Sequence, residues 1–319
     1  MKKLYAPLLL LPLLLGCPAD PDFSLLAEDI PGGMLLSAWS DGAEALIVGG
    51  QLQGGPGVLV HYEDGSLCVE EEVADKALWW IHGISEGEWY AVGEDGAILH
   101  SHDGQRSRED VATESTLYGV WVTEDVVWAV GGNYSANPPV GEIWQRQDGQ
   151  WSLFAGDLPG VAFKVWQGWF VGDGVAWHLE DGQLVDQELG DQRLLTARGR
   201  SDDDVWAVGG WGAAEVMHYD GMTWQEVDAS ELAQPLNGVW TSSGEDVWIA
   251  GLNGVVAAWR EDSWLRPEAM LSLEHFHAAW KHQDEVLFVG GNMFATSDQH
   301  GVIVRYGPGR GEVGVSSCP

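Results

Sequence analysis

Ser201-Asp-Asp-Asp-Val-Trp-Ala-Val-Gly-Gly210 decides the fold, because relatives of it return six more times along the 319-residue chain at a nearly fixed interval. They read Ala43-Glu-Ala-Leu-Ile-Val-Gly-Gly50, Gly87-Glu-Trp-Tyr-Ala-Val-Gly93, Thr123-Glu-Asp-Val-Val-Trp-Ala-Val-Gly-Gly132, a shortened Gly168-Trp-Phe-Val-Gly172, Gly244-Glu-Asp-Val-Trp-Ile-Ala-Gly251 and Asp284-Glu-Val-Leu-Phe-Val-Gly-Gly291. A repeat of this length is one supersecondary unit that cannot bury its apolar face alone, so its neighbours must stack on it.

Each copy sits among four short apolar runs separated by turn residues. Around Trp240 they are Leu236-Asn-Gly-Val-Trp240, Asp246-Val-Trp-Ile-Ala-Gly251, Gly254-Val-Val-Ala-Ala-Trp259 and Ser263-Trp-Leu265. Runs of four to six residues rich in Val, Ile and Trp and bounded by Gly or Asp-Gly are strand and hairpin signals. No stretch carries the period of a long amphipathic helix. Aligned first strands put Trp39, His82, Trp121, Trp166, Arg198, Trp240 and Trp280 in one column, spaced by 43, 39, 45, 32, 42 and 40 residues. Seven such units predict an all-β protein, a seven-bladed β-propeller with four-stranded blades. The unit after Trp166 is short because its first hairpin lacks about four residues relative to its neighbours.

Ring closure is also predicted. Phe23-Ser-Leu-Leu-Ala-Glu-Asp-Ile-Pro-Gly32 matches Trp151-Ser-Leu-Phe-Ala-Gly-Asp-Leu-Pro-Gly160, the fourth strand of the third unit. The amino-terminal strand is therefore expected to complete the last blade, covering an edge that would otherwise template aggregation. Closure makes the first and last blades neighbours, which brings Cys68 and Cys318 close enough for an expected disulfide in an oxidising compartment. Nineteen tryptophans are first of all core residues: a ring buried between stacked blades is worth roughly 4 to 6 kcal/mol as an upper bound. Trp211, in a Gly-rich connection, is the exception.

Residues 1–16 combine Lys2 and Lys3 with the apolar run Leu8 to Leu15, a secretory leader too short to span a bilayer. Leu14-Leu15-Gly16-Cys17 resembles the lipobox of bacterial lipoproteins. That resemblance implies cleavage before Cys17, lipidation of its sulfur, an anchor and short linker over 17–22, and a propeller domain over 23–319. Pro18 is not the aspartate associated with inner-membrane retention, so the expected address is the cell envelope, at the outer membrane rather than the inner one. Loss of the two leader lysines takes the net charge from −34 to −36. Such a surface repels nucleic acid and anionic headgroups, leaving the lipid to hold the protein at a membrane. A monomer without cofactor is expected.

Few motifs carry chemistry. Asp64-Gly65, Asp103-Gly104, Asp148-Gly149, Asp181-Gly182 and Asp220-Gly221 resemble a shortened Asp-box of sialidase-type propellers, where the box is structural, and tight hairpins need such pairs in any case. A sialidase site would need three clustered arginines; only Arg198 falls in the first-strand column, as a candidate for the central channel with acids such as Asp202 nearby. His61, His100, His178 and His218 share one third-strand position and are read as architectural. His275 and His277 share a strand face near His282 without a further placed ligand, so no metal site is assigned.

The pattern Gly-Val-Trp … Asp-Val-Trp-Ala-Val-Gly-Gly … Asp-Gly-x-Trp resembles the tandem repeats of secreted bacterial β-propeller lipoproteins, over nearly the whole mature chain. The resemblance implies a binding or scaffolding task in the envelope. The expected function is non-catalytic recognition of a protein or glycan through one rim; the alternative is a glycan hydrolase or lyase, which needs convergent acids and a base there. The expected rim is the one carrying the second-to-third-strand links, which are long in the first, third, fifth and seventh units. Those links hold Asn133, Tyr134, Asn137, Trp211, Asn292, Met293 and Phe294, side chains common in recognition surfaces.

Overall fold

The computed structural model describes residues 20–189, 192–295, 297–309 and 311–319. Cys17 and the leader lie outside the described residues. Seven antiparallel sheets follow one another along the chain, each ordered from an inner first strand to an outer fourth strand. The first strands are Met34–Ser40, Leu78–Ser85, Thr116–Val122, Ala162–Trp166, Leu194–Ser201, Leu236–Trp240 and His275–His282, which open blades 1 to 7. The fold is the seven-bladed propeller with four-stranded blades; one 3-10 turn, Glu94–Gly96, is the only helical element among the described residues. Blade 4 is short at Trp166 to Trp169, where its first hairpin turns through Gln167 and Gly168.

The first glycine after the apolar run of every repeat motif has a packing reason. In each blade it pairs with the first strand immediately before a register shift: Leu35 with Gly49, Leu78 with Gly93, Leu117 with Gly131, Ala162 with Gly172, Leu194 with Gly209, Leu236 with Gly251 and Phe276 with Gly290. A Cβ on Gly49 would stand 1.9 Å from the Met34 carbonyl oxygen, and one on Gly209 1.8 Å from that of Arg193. The next first-strand residue is left unpaired, a β-bulge that turns its side chain away from the ladder. Gly therefore recurs because the backbone of the bulged strand crowds it.

Asp22–Ile30 pairs antiparallel with Gly301–Gly307 as the outer strand of blade 7, with Phe23 opposite Tyr306. Phe23 is buried against Trp248, Phe288 and Tyr306, so the closing strand is fastened by aromatic packing as well as by ladder hydrogen bonds. The carboxyl end adds a second fastening. Val315–Ser317 runs parallel to Leu67–Val69 on the outside of blade 1, and a disulfide joins Cys68 to Cys318, whose Cα atoms are 4.9 Å apart. Both ends are thus tied beside one seam, and the outer edge of blade 1 is covered by a fifth strand.

Asp64-Gly65, Asp103-Gly104, Asp148-Gly149 and Asp181-Gly182 have positive φ at both residues, as a hairpin turn matched to strand twist requires. Asp220 is different. Only Gly221 has positive φ, and the Asp220 carboxylate accepts hydrogen bonds from the backbone N–H groups of Met222 and Thr223. All five aspartates sit in the turns of outer hairpins.

Candidate functional site

The residue set free by the bulge lies three positions before the first-strand column in every blade: Leu36, Trp79, Tyr118, Phe163, Leu195, Asn237 and His277. Six of these seven, all but Leu36, line one cavity at the mouth of the central channel. Its volume is about 420 Å³, within the range of sites that hold small ligands or side chains. Sequence reasoning missed this ring. Its signal was present in the strictly placed glycine of each repeat, because a bulge opposite that glycine fixes which first-strand residue faces the axis.

Loop residues raise the wall. Tyr134 from blade 3, Trp211 from blade 5 and Met293 and Phe294 from blade 7 complete the lining. Tyr134 packs edge-on against Phe163 and donates its hydroxyl to Asp173, and Phe294 packs on His275. Trp211 lies over the Arg193 guanidinium at 3.9 Å, yet remains 78% exposed, and Phe294 is 71% exposed. Of the other rim candidates, Asn133 and Asn137 are exposed and outside the lining. Asn292 braces its own loop by donating to the Asp298 carbonyl and accepting from the His300 N–H. The long loop of blade 1 also stays out of the lining: Gln53 and Gly54 donate to Glu94, and Leu52 and Gln51 bond to Gln299. Blade 6 contributes Leu252 from its short link instead.

Below the mouth the channel closes. Lys164 lines both the mouth and a narrow inner space of about 10 Å³, whose walls include His82, Trp121, Trp166, Arg198 and Trp280. The Lys164 ammonium donates to the Tyr118 carbonyl at 2.5 Å and sits 4.2 Å over the Trp80 ring. Burial alone brings its pKa from 10.5 down to about 7. Arg198 occupies the channel, and its cation rests on the rings of Trp280 at 4.4 Å and Trp121 at 5.4 Å. Burial lowers its pKa to about 9, its Nε has no hydrogen-bond partner among the described residues, and Asp202, its expected neighbour in charge, is exposed. His277 donates from Nδ1 to the Leu36 carbonyl at 2.7 Å; burial and then the Lys164 charge hold its pKa near 3, so it is a neutral imidazole. His82, buried against Trp121, is likewise held well below 6.5, by burial and then by Arg198.

The charges at this site oppose those of the chain as a whole. Among the described residues no Asp or Glu lines the mouth or the inner channel, in a chain that has 49 of them, whereas Lys164, Arg193 and Arg198 do. Arg193 has a distant partner, Asp173 at 3.9 Å; no carboxylate of the described residues lies within 4.0 Å of Lys164 or Arg198. A larger cleft of about 570 Å³ opens on the outside of blade 6, but it holds the Arg266–Glu231 ion pair and no comparable aromatic wall.

The four third-strand histidines sit away from this site, among carboxylates. His61 bridges Glu44 and Glu70, His100 bridges Glu88 and Glu109, His178 meets Glu180 and His218 meets Asp204. Rings of His100, His178 and His218 also stack on Tyr90, Trp169 and Trp206. His275, His277 and His282 do not converge. The first accepts from the Asn253 N–H, the second bonds Leu36 and the third bonds the Ser40 hydroxyl. Among the described residues two groups have metal-like spacing, His61 with Glu70 and Cys318, and Glu88 with His100 and His102. The first is compromised by the disulfide at Cys318, and the second is already satisfied by the ion pairs of Glu88 with both histidines.

No family model matches this chain. No curated protein matches it either. Among solved structures it is similar to YCF48 bound to D1 peptide, at 17% identity and a TM-score of 0.67, covering 92% of this chain and 98% of that one. It is similar to virginiamycin B lyase from Staphylococcus aureus at 13% identity and a TM-score of 0.69, over 90% and 99% of the two chains. The WD40 β-propeller domain of Doa1 gives 13%, 0.63, 89% and 97%. At these identities the likeness establishes the propeller fold and nothing finer.

Proposed function

We propose that the protein is a non-catalytic binding module that receives a polypeptide segment at the bulge-lined mouth of its propeller, held in the cell envelope by lipid at Cys17, at the outer membrane. The observation that carries this reading is the mouth itself. Bulges in six of the seven blades put one residue each into its lining, and large apolar or aromatic groups fill four of those six positions, with Trp79, Tyr118 and Phe163 packed edge to face from blade to blade into one continuous apolar wall. Exposed Trp211 and Phe294 extend the same apolar surface outward onto the rim. A glycan hydrolase would place two carboxyl groups about 5 to 10 Å apart at its site, and among the described residues none lines this mouth. A propeller of the same fold solved with a peptide bound, YCF48 with D1 peptide, agrees with a polypeptide occupant.

The reading is tested by site-specific photo-crosslinking in the native envelope. A photoreactive side chain at Phe294 is expected to capture a discrete polypeptide, and one at the exposed outer-edge residue Leu153 is not. Capture from position 153 but not 294 refutes it. Trp211→Ala and Phe294→Ala should abolish capture from a neighbouring mouth position while changing stability by less than about 0.5 kcal/mol, since both side chains are mostly exposed.

A further inference from the structure

We propose that the mouth takes the carboxyl-terminal end of its partner, with the free terminal carboxylate against Lys164 and the last apolar side chains on the aromatic wall. This rests on the polypeptide-binding reading above and names the feature that is recognised. The first ground is charge. Lys164 is 4% exposed and faces the mouth, one of its hydrogen bonds goes to the neutral Tyr118 carbonyl, and no carboxylate of the described residues pairs with it. A buried cation without a counter-charge is costly, and in an otherwise acidic chain it marks a place where an incoming anion is worth most. Two further buried donors of the lining, Trp79 Nε1 and Arg193 Nε, make no hydrogen bond among the described residues, the second having only the Asp173 carboxylate at 3.9 Å.

The second ground is shape. The cavity narrows from about 420 Å³ at the mouth to about 10 Å³ beyond Lys164, so a chain that enters cannot pass through, and a chain end fits this blind depth without the room a reversing loop needs. Arg198 and the rings around it stop further passage. The exposed faces of Trp211 and Phe294 lie on the rim outside this depth, where an occupant confined to the cavity would leave them in water. A polypeptide that continues outward covers them. Terminal carboxylates are a recognised handle for peptide-binding folds because each chain has one and it is free of side-chain context. A charge-assisted hydrogen bond in a dry site supplies the discrimination.

Fluorescent pools of hexapeptides with apolar residues at the last two positions serve as the probe, made as free acids, as carboxamides, and as carboxamides with glutamate at the end. Free acids are expected to bind about tenfold more tightly than either amide pool, and Lys164→Met should erase that ratio by weakening the acids alone. Equal binding of acids and plain amides overturns the carboxylate assignment and leaves the binding mouth standing. Glutamate-ended amides binding as well as free acids overturns the chain end in favour of a side-chain carboxylate. Displacement of the acids by 3-phenylpropionate at the same affinity makes the occupant a small carboxylate and also overturns it. No binding by any pool overturns both readings. Should Lys164→Met fail to fold, the acid-to-amide ratio of the unaltered protein decides alone.

Discussion

Replacing Lys164 by methionine should change how stability depends on pH, and the size of the change follows from the position of the amine. Lys164 meets the Tyr118 carbonyl from blade 3 and the Trp80 ring from blade 2, and the two spaces it lines also hold His277, His82, Asn237 and Thr196 and the cations Arg193 and Arg198. None of these offers a negative charge, so burial lowers its pKa from 10.5 to about 7. The sign follows directly: between those two values the unfolded chain holds a proton that the folded chain has released, and stability therefore rises with pH. At 1.36 kcal/mol per unit, and with the folded amine already half neutral near pH 7, the gain from pH 7 to pH 9 is about 2 kcal/mol. Histidines also shape the pH dependence: His61, against the lowering effect of burial, and His102 have pKa values raised by their carboxylate partners, so their contribution to stability falls as pH rises. Comparison with Lys164→Met cancels them. Urea unfolding followed by tryptophan fluorescence at pH 7, 8 and 9 should show the variant losing about 2 kcal/mol of advantage over the parent protein across that range. Parallel stability curves for the two proteins would refute the buried, unpaired amine.

The seam offers two more tests. Cys68→Ser, Cys318→Ser or reduction opens a loop closed over 250 residues, which in the chain-entropy model lowers stability by about 5 kcal/mol; a fall of under about 1 kcal/mol in denaturant unfolding would show that the end strands hold the ring without it. Deleting residues 22–30 uncovers the Gly301–Gly307 edge and removes the Phe23 packing on Trp248 and Phe288, so light scattering should report concentration-dependent association, and a soluble monomer of unchanged stability would count against the clasp.

The sequence by itself determined the number of blades, the partner of the amino-terminal strand and the role of the tryptophan column, because those depend on a pattern that repeats locally about every 40 residues. Its Asp-Gly turns were legible for the same reason, since a hairpin of two residues depends on the φ values that those two residues tolerate. Rim residues Tyr134, Trp211, Met293 and Phe294 could be picked out as unneeded for packing, but not where they point: Asn133 and Asn137 looked equivalent and stand outside the mouth, while Asn292 is used up inside its loop. The first glycine after each motif's apolar run was visible in all seven copies, yet its meaning lies in a partner strand whose bulge it accommodates. Only the tertiary structure decided the charge of the channel. Lys164 and Arg198 lie on different blades, 34 positions apart in sequence, among rings from Trp80 to Trp280, and nothing local to either residue says that acids will be absent around it. Closure of the ring brings seven distant first strands to one axis, and the desolvation that sets the chemistry of that axis is a property of their joint packing rather than of any one repeat.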